Sequence, residues 1–193
     1  MDRTIWRRGF GRWVTSAISG LGIMACGFAV PPQAHAERTP VTSQCFIHAA
    51  RIHHLPLTIV LALMRTEGGR PGTVHLNSDR YHSHDLGVMQ VNDRTWIPEI
   101  AERDFGGDRK AAIERIRDDG CYNVLWGTEI FARYVDEANG QYWLAVGYYN
   151  SHYHDARIAY TRTVVARYRE VMKDLHEAIR KRQIPQEMQN GGY

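Results

Sequence analysis

Residues Leu57 to Thr66 form an apolar run, Leu-Thr-Ile-Val-Leu-Ala-Leu-Met-Arg-Thr, and nothing else in the chain restricts its folding so strongly. Pro56 precedes the run, Glu67 closes it, and Gly68-Gly69 follow at once. Proline suits the first position of a helix and a glycine ends one well, so the pattern predicts a short helix. A helix this apolar has to be packed against other elements, and the carboxyl of Glu67 is carried to the edge of the core with it. Such a carboxyl loses hydration, and its proton is held more tightly than in water. That is the condition a general acid requires near neutral pH.

The rest of the pattern is helical too. Cys45 to Ile52 has apolar residues at helical spacing, with Thr42 or Ser43 as a cap. The stretch from Gly68 to Asp85 is polar and turn-rich, which predicts a loop or a small hairpin. Helical patterns return near 94–103, 108–118, 123–138, 142–149 and 157–182. In the last of these Val164, Tyr168, Val171, Leu175 and Ile179 share a stripe that predicts packing on the core. The fold class expected is all-α with one small hairpin.

The first 36 residues read differently. Arg3, Arg7, Arg8 and Arg12 precede an apolar stretch to about Val30, and Ala34-His35-Ala36 is an A-x-A cleavage pattern. They are expected to be an export signal cut near Ala36, leaving a domain over 37–183 and a polar, glycine-rich tail over 184–193. Arg7-Arg8-Gly9-Phe10 is compatible with twin-arginine export. The signal holds four of the 24 basic residues and one of the 21 acidic ones, so the remainder carries 20 of each. The net charge of +3 therefore belongs to the signal and gives no support to nucleic-acid binding. Once the signal is cut, no stable membrane span is expected. Of the three cysteines only Cys45 and Cys121 lie beyond it, and an even count in an exported chain predicts one disulfide.

Glu67-Gly68-Gly69, Gly87-Val88-Met89-Gln90-Val91-Asn92, Asn123 with Gly127, and Tyr149-Asn150 resemble, in order and spacing, the motifs of the soluble lytic transglycosylases. They are most similar to the small exported members found with conjugation and other secretion machines. The resemblance spans Cys45 to Tyr168. It implies a lysozyme-like single domain in the periplasm, with a cleft for peptidoglycan glycan strands and no cofactor. The implied reaction is non-hydrolytic cleavage between N-acetylmuramic acid and N-acetylglucosamine. By the same resemblance Glu67 is the catalytic acid, and Tyr149 is a tyrosine whose hydroxyl lies near it. Gly68, Met89, Gln90, Asn92 and Asn150 are the implied substrate contacts. Three positions depart from the family pattern. Gly68 stands where a serine is frequent, leaving that contact to the backbone, water or a neighbour such as Asn77. Tyr148 stands where a small residue is usual. The late Thr-Arg-x-Tyr-Val run appears as Thr161-Arg162-Thr163-Val164-Val165, without its tyrosine.

Ordinary glycosidases use two carboxylates, and Asp79, Asp85 and Asp93 are the candidates for a second. Substrate assistance by a 2-acetamido group removes the need for one. Two rival functions use the same cleft: a hydrolytic lysozyme with Asp85 or Asp93 positioning water, and a catalytically inactive scaffold that only binds peptidoglycan. His82-Ser83-His84-Asp85 and His152-Tyr153-His154-Asp155 are read as histidines on a cleft rim rather than as metal ligands.

Overall fold

The computed structural model describes residues 38–78 and 82–190. The expected export signal (1–36), Asp79 and the last residues of the expected tail lie outside the described residues. Two helices come first, α1 (Ser43–Ile52) and α2 (Leu57–Glu67). Three short strands follow: β1 (Val74–Leu76), β2 (His84–Leu86) and β3 (Val91–Asn92). They form an antiparallel sheet in the order β1-β2-β3, with Val74 opposite Leu86 and Leu86 opposite Val91. The remaining elements are α3 (Asp93–Phe105), α4 (Arg109–Asp118), α5 (Gly120–Glu137), α6 (Tyr142–Asn150) and α7 (His154–Asn190).

The ends of α2 follow its flanking residues. Pro56 caps the helix rather than opening it, and its carbonyl accepts from the N–H groups of Ile59 and Val60. Gly68 adopts φ 64°, the left-handed conformation that glycine takes at little steric cost, and donates its N–H to Met64 O at 3.0 Å.

Two apolar clusters make the core. The larger one joins α1, α2, α6 and the first half of α7 to one face of α5, through Val60, Leu63, Phe131, Val146 and Val164. The smaller one joins β2, β3, α3 and α4 to another face of α5, through Trp126 and Ile130. Tyr134 and Tyr149 pack against both clusters. The two lobes thus meet along α5, and the groove between them is where the site lies.

Two elements differ from their sequence patterns. β3 is only two residues long, too short for alternation to reveal. The last helix, patterned over 157–182, runs from His154 to Asn190 and continues through Pro185. Its Val164 and Val171 are buried as the stripe predicts, but Leu175 and Ile179 are exposed. Asp174 still reaches Arg65 of α2 at 2.7 Å. Past this ion pair the stripe has left the core. No helix of the described residues is long and apolar enough to cross a membrane.

Cys45 and Cys121 are joined, tying α1 to the start of α5 across a sequence separation of 76. Closing so long a loop stabilises the fold by up to about 4 kcal/mol through the unfolded state. Replacing both cysteines with serine should lower the unfolding free energy in urea by up to that amount while leaving the helical content of the folded protein unchanged.

Candidate active site

The hinge of the site is the close approach of two glycine-marked turns. A Cβ on Gly69 would collide with Gly87 O, so the chain leaving α2 can lie directly on the turn before β3 only because position 69 lacks a side chain. Gly87 has φ 70° and Gln90 has φ 49°, a left-handed conformation that is uncommon outside glycine. Gln90 Nε2 donates back to Gly87 O at 2.7 Å, closing the turn on itself.

Asn123 holds this turn from beneath. It is fully buried in α5, and its Oδ1 accepts from Met89 N at 2.7 Å. Its Nδ2 donates to Leu86 O at 2.8 Å and to Ile116 O at 3.0 Å. Tyr149 completes the clamp by donating its hydroxyl proton to Met89 O at 2.8 Å. A Cβ at position 127 would strike Met89 and approach Tyr149 Oη at 3.2 Å, which accounts for Gly127. Asn123 and Gly127 are therefore supports of the turn.

Glu67 opens onto a cavity of about 1030 Å³ between the lobes. Asn77, Ser83 and Asp85 border it on the sheet side, and Gln90 and Asn92 from the turn. Tyr134, Tyr148, Tyr149 and Asn150 border it on the helical side. Glu67 keeps one edge toward the cavity and is half-buried, yet protein atoms crowd it on its other sides. Burial pushes its carboxyl from 4.5 up to about 7, and the negative charge of Asp85 adds to the rise. A hydrogen bond from Tyr160 Oη to Glu67 Oε1 opposes it. Burial and the Glu67 charge together hold the Tyr160 phenol far above its ordinary range, so it stays a donor.

The residues expected at the site stand in different relations to the cavity. Met89 does not border the cavity: its side chain is fully buried, because the turn points it at Gly127, and only its backbone serves the site. Gly68 likewise caps α2 without bordering the cavity. Tyr149 lies near enough for the charge of Glu67 to oppose its ionisation, but its proton is given to Met89 O rather than to the carboxyl. The phenol that bonds Glu67 is that of Tyr160, on α7, rather than that of Tyr149. A tyrosine preceding Thr161-Arg162 was the available signal. Asn77, the neighbour proposed to replace a serine at position 68, does reach the cavity and donates to Ser83 Oγ at 3.2 Å.

Of the candidate second carboxylates, Asp85 borders the cavity and accepts from Asn92 Nδ2 at 2.8 Å. Asp93 is instead paired with His84, whose Nδ1 lies 2.9 Å from Asp93 Oδ2 and whose backbone N–H it also accepts. The histidines of the two His-x-His-Asp runs are similarly dispersed, His152 to Glu137 and His154 to Asp155. Among the described residues no group of three or more His, Cys, Asp or Glu side chains converges.

The structure thus sets a half-buried acid, held near neutrality by burial, at the wall of a cavity of about 1030 Å³ in a mostly helical domain. Residues 44–160 match the family described as "Transglycosylase SLT domain", and the chain belongs to that family. Transglycosylase activity on peptidoglycan is the general activity of the family, and its fold is lysozyme-like and mostly helical. Comparison with curated proteins returns no match.

Two measurements test the electrostatics of Glu67. Because its folded value lies above its ordinary 4.5, its contribution to stability is fully present below about 4.5 and is lost as pH rises through about 7. Glu67→Gln, which cannot ionise, should therefore gain stability over the parent between pH 5 and pH 8, by no more than about 3 kcal/mol in urea titrations. Tyr160→Phe removes the bond that lowers the Glu67 value, so the alkaline limb of the activity profile should move upward from about pH 7. A limb that moved downward, or stayed in place, would remove Tyr160 from the control of Glu67.

Proposed function

We propose that this protein cleaves the bond between N-acetylmuramic acid and N-acetylglucosamine in peptidoglycan without water, leaving a 1,6-anhydro end. The observation that carries the reading is the environment of Glu67, in which burial raises the carboxyl to about 7 at the wall of the groove. At that value a useful fraction is protonated at neutral pH and the conjugate base is still a competent acceptor.

In this mechanism protonated Glu67 gives its proton to the glycosidic oxygen as the bond to C1 breaks. The 2-acetamido carbonyl oxygen of the same sugar stabilises the electron-poor C1. The C6 hydroxyl then attacks C1, displaces the acetamido oxygen and returns its proton to the Glu67 carboxylate. The enzyme ends as it began and no water is consumed. Tyr160 steadies Glu67 while it is ionised. Tyr149 acts through the turn it holds, and Gln90, Asn92 and Asn150 face the strand from the cavity border. Gly68 contributes the helix ending that delivers Glu67. The basic and apolar start with Ala34-His35-Ala36 supports export and cleavage near Ala36. The working site would then be the periplasm, where a small domain of this kind makes local openings in the wall for a secretion or conjugation apparatus.

Hydrolysis is the second reading, favoured by one observation: Asp85 borders the same cavity as Glu67. Mass spectrometry of muropeptides released from purified peptidoglycan separates the two. The expected products carry 1,6-anhydro ends. Reducing ends in their place would establish a lysozyme, and no release at all would leave a binding scaffold. Glu67→Gln should lose at least about 10³-fold in turnover, in line with removal of a general acid that also serves as base.

A further inference from the structure

One wall of the cavity holds an arrangement that the proton transfers of Glu67 do not use. Trp96, Tyr134, His152 and Tyr148 stand there in successive ring contact. Trp96 meets Tyr134 edge-on at 6.3 Å, and Tyr134 meets His152 edge-on at 5.8 Å. His152 and Tyr148 are stacked at 4.4 Å with 12° between their planes. The Arg157 guanidinium lies 5.5 Å from the Tyr148 ring centroid, and Glu137 Oε1 lies 2.8 Å from His152 Nε2. Three neighbours from α5 and α6 therefore fix an imidazole whose side chain is 54% exposed. An exposed ring gains little from burial, and ordering it opposes its rotamer entropy, so stability alone gives weak reason for this restraint.

The hydrogen bonding states what the ring has left to offer. A carboxylate can only accept, so the 2.8 Å contact with Glu137 favours the tautomer with the hydrogen on Nε2, in which Nδ1 is an acceptor. Nδ1 has no partner among the described residues. A matching ligand supplies an N–H or O–H donor beside a non-polar face that can lie on aromatic rings. An N-acetylated hexosamine has both: amide and hydroxyl donors at its edge, and C–H groups across its face. A wall of aromatic rings with one oriented polar atom is the usual composition of a site that fixes a ligand's orientation.

We infer that His152 is a substrate-positioning residue, its Nδ1 accepting a hydrogen bond from an N-acetylhexosamine unit seated against the Trp96–Tyr134–Tyr148 wall. The inference rests on the glycan reading of the cavity given above. Tyr148, which stands where the family pattern usually has a small residue, supplies the face that orients the imidazole. The contact orients sugar without taking part in bond cleavage, so its effect falls on binding.

The test uses chitopentaose, a peptide-free N-acetylglucosamine oligomer, titrated calorimetrically into Glu67→Gln protein so that no chemistry intervenes. Adding His152→Ala or His152→Phe should raise Kd about five- to tenfold, the effect of one lost hydrogen bond. Tyr148→Ala should raise it about two- to fivefold by releasing the imidazole. With Glu67 intact, His152→Phe should raise KM on peptidoglycan by a similar factor while kcat changes less than twofold. A phenylalanine variant that binds as tightly as the parent would mean that ring area alone matters, and would overturn the inference. So would absence of chitopentaose binding by the Glu67→Gln protein. Should the alanine variant fail to fold, the phenylalanine variant decides, since it retains the stacked ring. Anhydro products with unchanged Kd and KM would sink the role of His152 alone, whereas loss of anhydro products from the parent protein would sink the transglycosylase reading itself.

Discussion

Placing a carboxyl half out of water is unfavourable to its charged form, and the domain meets that cost without neutralising the group. Among the described residues no arginine or lysine is an influence on Glu67; the groups that act on it are the Tyr160 phenol and the charge of Asp85. A cation at that place would have held the carboxyl ionised at neutral pH. A phenol steadies the anion without donating a full charge, so the carboxyl comes to rest near neutrality. The close contact of Gly69 with Gly87, the buried amide of Asn123 and the packing of α7 on α2 all serve to keep that environment closed.

The turn from Gly87 to Gln90 shows how one wall of the cavity is held through its backbone. Its two left-handed residues and its buried methionine are held by Asn123 from one side and Tyr149 from the other. Each clamp satisfies a backbone group that would otherwise be buried without a partner. Gln90 and Asn92 are thereby presented to the cavity on a support that has little freedom to move. The same logic places Asp85 beside the cavity and Asp93 away from it. Residue 85 lies on β2, bonded to Asn92 across the sheet, whereas residue 93 starts α3 and is consumed by His84.

The local features that frame the cavity are legible in the sequence. The helix ending in Glu67-Gly68-Gly69 was readable because proline, apolar spacing and glycine are local signals. Asn123 and Gly127 were visible as members of the family pattern, though their service to the turn was not. The burial of the Met89 side chain against Gly127 is not legible, because the pattern gives the identity of a turn residue and not the side to which it points. Tyr160 was missed for a different reason. Its partner lies 93 positions away, and only the packing of α7 on α2 brings the phenol to the carboxyl. The last helix continues to Asn190 into the polar stretch expected as tail, and the outer part of its stripe, Leu175 and Ile179, is exposed because the core ends before it.

What the amino-acid sequence determined by itself is therefore the set of short-range choices: where helices stop, where glycine permits a left-handed turn, and which carboxyl closes an apolar helix. These depend on neighbours a few residues apart, and local sterics and hydration decide them. What only the tertiary structure decided is which distant groups share the cavity. Tyr160 reaches Glu67 across 93 positions of chain, and Tyr149 reaches Met89 across 60. Such meetings depend on how α6 and α7 pack against α2 and the turn, a collective outcome of two apolar clusters that no local pattern encodes.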